Sequence, residues 1–169
     1  MLNKKVQIGL NQQLNREFYS SQLYLIMASF VERKGFDGVC QFLYNHSNEE
    51  RLHMIKLIRY INKRGGNTEI NHSILFRKIH RNTSLEEIFL ILFEQEIEIS
   101  KEIDYLVELT MNEKDYATHH FLQWYVKEQI EEEEISKKNL DKIKLLGSNK
   151  FGLYLFNENI RNIVEKKET

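Results

Sequence analysis

Proline is absent from the 169 residues, glycine is limited to seven, and cysteine occurs once, at Cys40. Without proline, nothing in the chain removes a backbone donor or clashes with the preceding helical turn, so long uninterrupted helices are permitted. A lone cysteine excludes an internal disulfide and any zinc site built on cysteines, and it suits a reducing compartment. Cys40 itself is expected to be a small core residue. An excess of one charge is also missing: 24 Lys and Arg face 25 Asp and Glu, with a net charge of −1 and a pI near 6.6. The chain as a whole therefore has no electrostatic reason to bind nucleic acid or an acidic membrane surface. No run reaches the roughly 18 apolar residues of a membrane span, and the stretch from Met1 to Gln7 lacks the apolar block of a signal peptide. A cytoplasmic location is expected.

What remains favours helices. Charged residues make up 29% of the chain, and Glu, Lys, Leu and Gln are good helix formers. The length suits one domain covering residues 1–169 and an all-α fold. No internal repeat is present.

The first helix is expected from about Asn3 to Lys34, on a seam of Leu10, Leu14, Glu17, Ser21, Tyr24, Ala28 and Val31 at spacings of three and four. Gly35 stops it, and Asp37 is expected to cap a second helix that runs to about Arg64. The second seam is Val39, Leu43, His46, Glu50, His53, Leu57 and Tyr60, ended by Gly65 and Gly66. A short turn makes these two helices antiparallel. No clean period survives from Gly66 to Thr83, a stretch that can extend to about 59 Å. The second helix is only about 40 Å long, so the connection can cross the bundle and leave the third helix parallel to the second. Ser84 and Glu87 form a capping box that opens that third helix. Its seam of Leu85, Phe89, Leu92, Glu96, Ile99, Ile103 and Leu106 ends near Asn112. Asp115 caps a fourth helix, which runs to about Leu146 with Leu122, Tyr125, Gln129, Glu132, Ser136 and Ile143 inside. A short fifth helix is expected within residues 150–165.

Near the middle of each seam lies a group able to bind metal: Glu17, Glu50 with His53, Glu96, and Gln129 with Glu132. Glu50 and His53 are one helical turn apart on one face. Burying several carboxylates together costs several kcal/mol each unless a cation joins them, and Arg51, Lys56, Lys101 and Lys127 fall on other faces. A bound metal is the economical solution. Oxygen-dominated coordination with one imidazole suits iron or manganese rather than structural zinc. The donors suffice for two metals bridged by Glu50, and such a pair can reduce dioxygen or peroxide. Tyr24 faces the same layer, either to serve the site or as an ordinary core tyrosine. His46, two turns before His53, is expected to be a satisfied core residue. His72, His80, His119 and His120 are expected in solvent.

Glu17, the run from Glu50 to His53, Glu96, the run from Phe121 to Tyr125, and Glu128 with Gln129 closely resemble the bacterial non-haem ferritins over nearly the whole chain. The resemblance implies a ferritin-like antiparallel four-helix bundle with one long crossover between the second and third helices. It implies a shell of 24 subunits that oxidises Fe(II) with dioxygen or hydrogen peroxide and stores Fe(III) as mineral. By the same resemblance, Glu17, Glu50 and His53 hold one iron and Glu50 with Glu96 the other, with Gln129 nearby. A third iron site is implied at Glu49, Glu128, Glu131 and Glu132; a solvated acidic face is the competing reading of those residues. Where bacterioferritins carry a haem-binding methionine after the bridging glutamate, this chain has Arg51, so no haem is expected. Where related di-iron bundles carry a second Glu-x-x-His, it has Gln129 to Glu132, which should leave the second iron looser. The alternative function is a di-iron peroxidase or oxidase of rubrerythrin type that stores no mineral.

Overall fold

The computed structural model describes residues 1–71 and 79–168, with side chains as far as Arg161. Five helices follow in order: α1 (Lys4–Glu32), α2 (Asp37–Lys63), α3 (Leu85–Asn112), α4 (Tyr116–Leu146) and α5 (Lys150–Glu168). The middle of the crossover, with His72, lies outside the described residues.

Local chemistry accounts for most boundaries. Asn3 caps α1 by accepting from the Lys5 amide at 2.8 Å. Ser84 and Glu87 close the expected box at α3, with the Glu87 amide 3.1 Å from Ser84 Oγ and the Ser84 amide 2.6 Å from Glu87 Oε2. Asp115 caps α4 through the Thr118 amide at 3.1 Å. Gly35 and Gly147 adopt positive φ values of 78° and 57°, where a side chain would be strained.

Asp37 does not cap α2. It lies within the first turn, the preceding residue Phe36 makes no side-chain cap, and the acceptor comes from α5. Asn157 Oδ1 receives the Gly38 amide at 2.9 Å and the Val39 amide at 3.1 Å. A Cβ at Gly38 would sit 2.1 Å from the Asn157 carbonyl oxygen, so glycine there is what lets α5 approach. Tertiary packing thus replaces the local cap.

The helix ends fix the topology. Lys34, just after α1, donates to the Thr83 carbonyl at 2.7 Å, so α3 starts where α2 starts. Arg64, just after α2, pairs with Asp115 at 3.1 Å, so α3 finishes where α2 finishes. These helices are therefore parallel, and the crossover spans the bundle. Its first part is pinned along α1 by Gln7, Asn11 and Asn15, spaced four apart. Gln7 accepts from the Asn67 amide at 3.2 Å, Asn11 from the Glu69 amide at 2.8 Å, and Asn15 from the Asn71 amide at 2.7 Å.

All the seam residues named above are buried except Tyr60, which is half-buried. Its hydroxyl instead joins Arg64 at 2.7 Å and Thr118 at 3.0 Å. The apolar seam residues gather into two clusters. One holds Leu23, Met27, Val31, Leu43, Phe89 and Leu140, among others, with Phe156 and Ile160 of α5 closing its end. The other holds Leu10, Leu14, Leu57, Ile61, Ile103 and Leu122. The polar layer lies between them. No helix among the described residues is long and apolar enough to cross a membrane.

Candidate metal centre

Each helix of the bundle delivers its polar residues to the layer because its seam is continuous: Leu10 and Leu14 precede Glu17, Leu43 and Leu57 lie two turns either side of Glu50, Leu92 and Ile99 flank Glu96, and Leu122 lies two turns before Gln129, all buried. Beside the layer, Ser21 Oγ donates to the Ser47 carbonyl at 2.7 Å and Ser47 Oγ to the Ser21 carbonyl at 2.8 Å. This reciprocal pair of small residues draws α1 against α2.

Glu17 of α1 and Glu50 and His53 of α2 are all buried, and each offers a ligand atom within 4.8 Å of the others. His53 Nδ1 lies 3.4 Å from Glu50 Oε2 and 3.9 Å from Glu17 Oε2. Tyr125 holds the α2 backbone at this level by donating to the His53 carbonyl at 2.7 Å. The Trp124 ring meets the His53 ring edge-on at 5.1 Å, and Lys56 Nζ stands 3.0 Å over Trp124. On α3, Glu96 is fully buried. Its Oε1 accepts from Tyr24 at 2.8 Å and its Oε2 from Gln129 Nε2 at 3.3 Å. Tyr24 thus touches the acid layer directly rather than only filling space.

The electrostatics are those of acids crowded without cations. Burial, then the neighbouring charge of Glu50, pushes the Glu17 carboxyl well above its ordinary range. Burial, then Glu96, does the same to Glu50. Glu96 is pushed up to about 7 by burial and then by Glu132. Tyr24, buried among Glu96, Glu132 and Glu50, is held firmly as the neutral phenol and so donates. Among the described residues no Lys or Arg forms an ion pair with Glu17, Glu50 or Glu96. A layer of oxygen donors around the His53 imidazole, with no Lys or Arg paired to Glu17, Glu50 or Glu96 among the described residues, is suited to divalent metal ions.

Glu132 is also buried in the layer, and it joins a second group. Glu49, His46 and Glu132 each offer a ligand atom within 4.8 Å of the others. Glu128 is half-buried and close enough to Lys56 to raise its pKa, although burial lowers it more. Glu131 is exposed, 3.7 Å from Lys127, and is not brought into the cluster. Glu134 pairs with Lys138 in solvent.

Two residues were undervalued by their sequence context. Gln13, one turn before Glu17 on the same face, is 3% exposed and donates to Glu17 Oε1 at 2.8 Å. Its four-residue spacing was the available signal. His46 is buried as expected, with Nδ1 3.0 Å from the Phe42 carbonyl oxygen and Nε2 facing the buried Glu132 carboxylate at 3.5 Å. Burial lowers its pKa, yet Glu132, Glu49 and the Phe42 carbonyl together outweigh that and leave it raised. Nothing in the local sequence distinguishes it from a packed histidine.

Known proteins resemble the chain along almost its whole length. A Haemophilus influenzae protein named probable bacterial non-heme ferritin-like protein is 42% identical over 166 residues, covering 98% of this chain and 99% of that protein. A bacterial non-heme ferritin of Campylobacter jejuni is likewise 42% identical over 164 residues, covering 96% of each. The open-pore ferritin of Archaeoglobus fulgidus superimposes with a TM-score of 0.90 at 34% identity, over 95% of this chain and 96% of that one. The ferritin family model, described as the ferritin-like domain, matches residues 8–146, which span the four bundle helices and their acid layer; the chain belongs to the ferritin family.

Proposed function

We propose that this protein oxidises Fe(II) at a paired site formed by Glu17, Glu50, His53 and Glu96, with Gln129 beside it, and stores the ferric product inside a shell of 24 copies of itself. Iron is here the substrate and then the cargo. The observation that carries the reading is the buried layer in which Glu17, Glu50 and His53 converge while Glu96 holds a proton up to about 7. Metal ions replace those protons on binding, and the carboxylates keep the ferrous ions in a dry, negatively charged pocket that favours loss of an electron. Two ferrous ions give one electron each, and dioxygen or hydrogen peroxide accepts the pair.

The residues around the pair have separate tasks. Glu50, between Glu17 and Glu96, bridges the two ions. Gln13 orients Glu17, and Tyr24 and Gln129 orient Glu96. Gln129 and Glu132 stand where related bundles carry a second Glu-x-x-His, so the second ion lacks a histidine ligand and leaves more readily, which suits iron in transit. Glu49, Glu128, Glu131 and Glu132 make up a third iron site beside the pair, which Glu131 joins by turning from Lys127.

Iron loading tests the storage reading. Ferrous salt added aerobically to the assembled apoprotein should be oxidised and retained far beyond what fixed sites hold. A protein that stays monomeric or dimeric by light scattering, or that retains only two or three irons per subunit, refutes storage.

A further inference from the structure

The paired site has a lysine beside it that pairs with none of Glu17, Glu50 and Glu96 among the described residues. Lys56 lies on α2 one turn after His53 and is half-buried. An ammonium and a divalent ion repel each other, so a lysine at this level weakens metal binding by its charge alone. It is held here by a ring. Lys56 Nζ stands 3.0 Å from the centre of the Trp124 ring and 6.0 Å from that of Tyr125, and the negative face of an indole attracts a cation.

What that ring touches is the imidazole of the pair. His53 turns Nδ1 toward Glu50 Oε2 at 3.4 Å and Glu17 Oε2 at 3.9 Å. A metal-binding histidine ordinarily fixes its ring by donating from the other nitrogen to a carbonyl or carboxylate. Among the described residues, His53 Nε2 makes no such bond. Aromatic edges stand in its place: Trp124 meets the imidazole at 5.1 Å and Tyr125 at 6.2 Å, each at 80°, and the two rings brace each other at 4.8 Å and 88°. Tyr125 is anchored by its own hydroxyl, which donates to the His53 carbonyl at 2.7 Å. Trp124 is half-buried and makes no hydrogen bond through its ring among the described residues, which leaves Lys56 to hold it.

We propose that Lys56 is a positioning residue for the paired site: acting through Trp124, it keeps the His53 imidazole turned so that Nδ1 is presented to the metal. The proposal rests on the reading of Glu17, Glu50, His53 and Glu96 as the oxidation site. A positioning role and a purely electrostatic one have opposite signs. Removing a cation that acts only by repulsion tightens a bound divalent ion, whereas releasing the ring frees the imidazole and loosens that ion.

Cobalt(II) titration of the assembled apoprotein tests this, read by the visible absorption of the bound ion and by the fluorescence of Trp124, the only tryptophan in the chain. The cobalt equivalent that disappears in His53→Ala is the one followed. Lys56→Met keeps most of the stem and removes the charge. It should weaken that equivalent by about 2- to 10-fold, change the cobalt absorption and shift the Trp124 emission, with backbone circular dichroism unchanged. Lys56→Arg keeps a cation over the ring and should restore affinity and both spectra. In a Trp124→Leu background, Lys56→Met should no longer weaken cobalt binding, because the coupling runs through the ring. Equal or tighter binding in Lys56→Met, or an equal loss in Lys56→Arg, overturns the proposal and leaves the paired site standing. Cobalt binding that is the same in wild type and His53→Ala overturns the paired site itself, and the proposal with it.

Discussion

The two apolar clusters and the acid layer between them are built by the same helices at the same depth, yet burial works in opposite directions in the two. Leu43 and Glu96 are each fully buried. Removing a leucine side chain from water stabilises the fold by about 1.5–3 kcal/mol, whereas burying a carboxylate costs several kcal/mol unless a cation or a proton neutralises it. The chain concentrates stability in the outer slabs and sacrifices some in the middle, where the chemistry is. Oxidation and stability should therefore be separable by mutation.

The largest effect expected is on oxidation. Replacing both Glu50 and His53 with Ala should slow initial Fe(II) oxidation, followed by ferric absorbance, by more than about 100-fold, since losing even supporting residues of a metal site costs 10- to 100-fold. Unchanged initial rates in a folded variant would remove the site assignment. Leu43→Ala should do the converse, lowering unfolding free energy by about 2–5 kcal/mol while the rate per folded subunit stays near wild type. A matching loss of rate would mean that the slabs are not independent.

The layer can also be titrated. The raised carboxyls of Glu17, Glu50 and Glu96 bind protons more tightly in the folded than in the unfolded state. Their contribution is fully present below the ordinary value of 4.5 and is lost as pH rises, through about 7 for Glu96. The apoprotein should therefore lose stability from this layer as pH rises across that window, and Glu96→Gln should lose less. Denaturant unfolding at pH 4.5 and pH 7.5 measures the difference; equal losses in both proteins would show that Glu96 is not strained. The smallest effect is expected at the end of the first slab. Asn157→Ala removes the acceptor for the first amides of α2 and should cost about 1 kcal/mol without altering oxidation.

How much of this was legible in the chain varied with the range of the interaction. The seams of α1, α3 and α4 follow helical periodicity, and the residues named from them are buried. Asp115, Ser84 and Glu87 cap as their order in sequence implies, because a cap is settled within one turn. Asp37 fails for the complementary reason: its place was taken by Asn157, 120 residues away, and no local pattern encodes that approach. Gln7, Asn11 and Asn15 formed a polar stripe with no evident purpose until the crossover was laid along it. Gln13 lay one turn from Glu17, so its partner was readable but its burial was not.

The sequence by itself determined where helices run, which face of each turns inward, and that each inward face carries an acid or amide near its middle. These follow from backbone geometry and the 3.6-residue period. Only the tertiary structure decided that the four polar groups stand at one height, that Tyr24 donates to Glu96, and that His46 Nε2 opens toward Glu132. Helix register across the bundle and the rotation of a ring depend on packing between segments far apart in the chain, and periodicity within one helix carries no information about either.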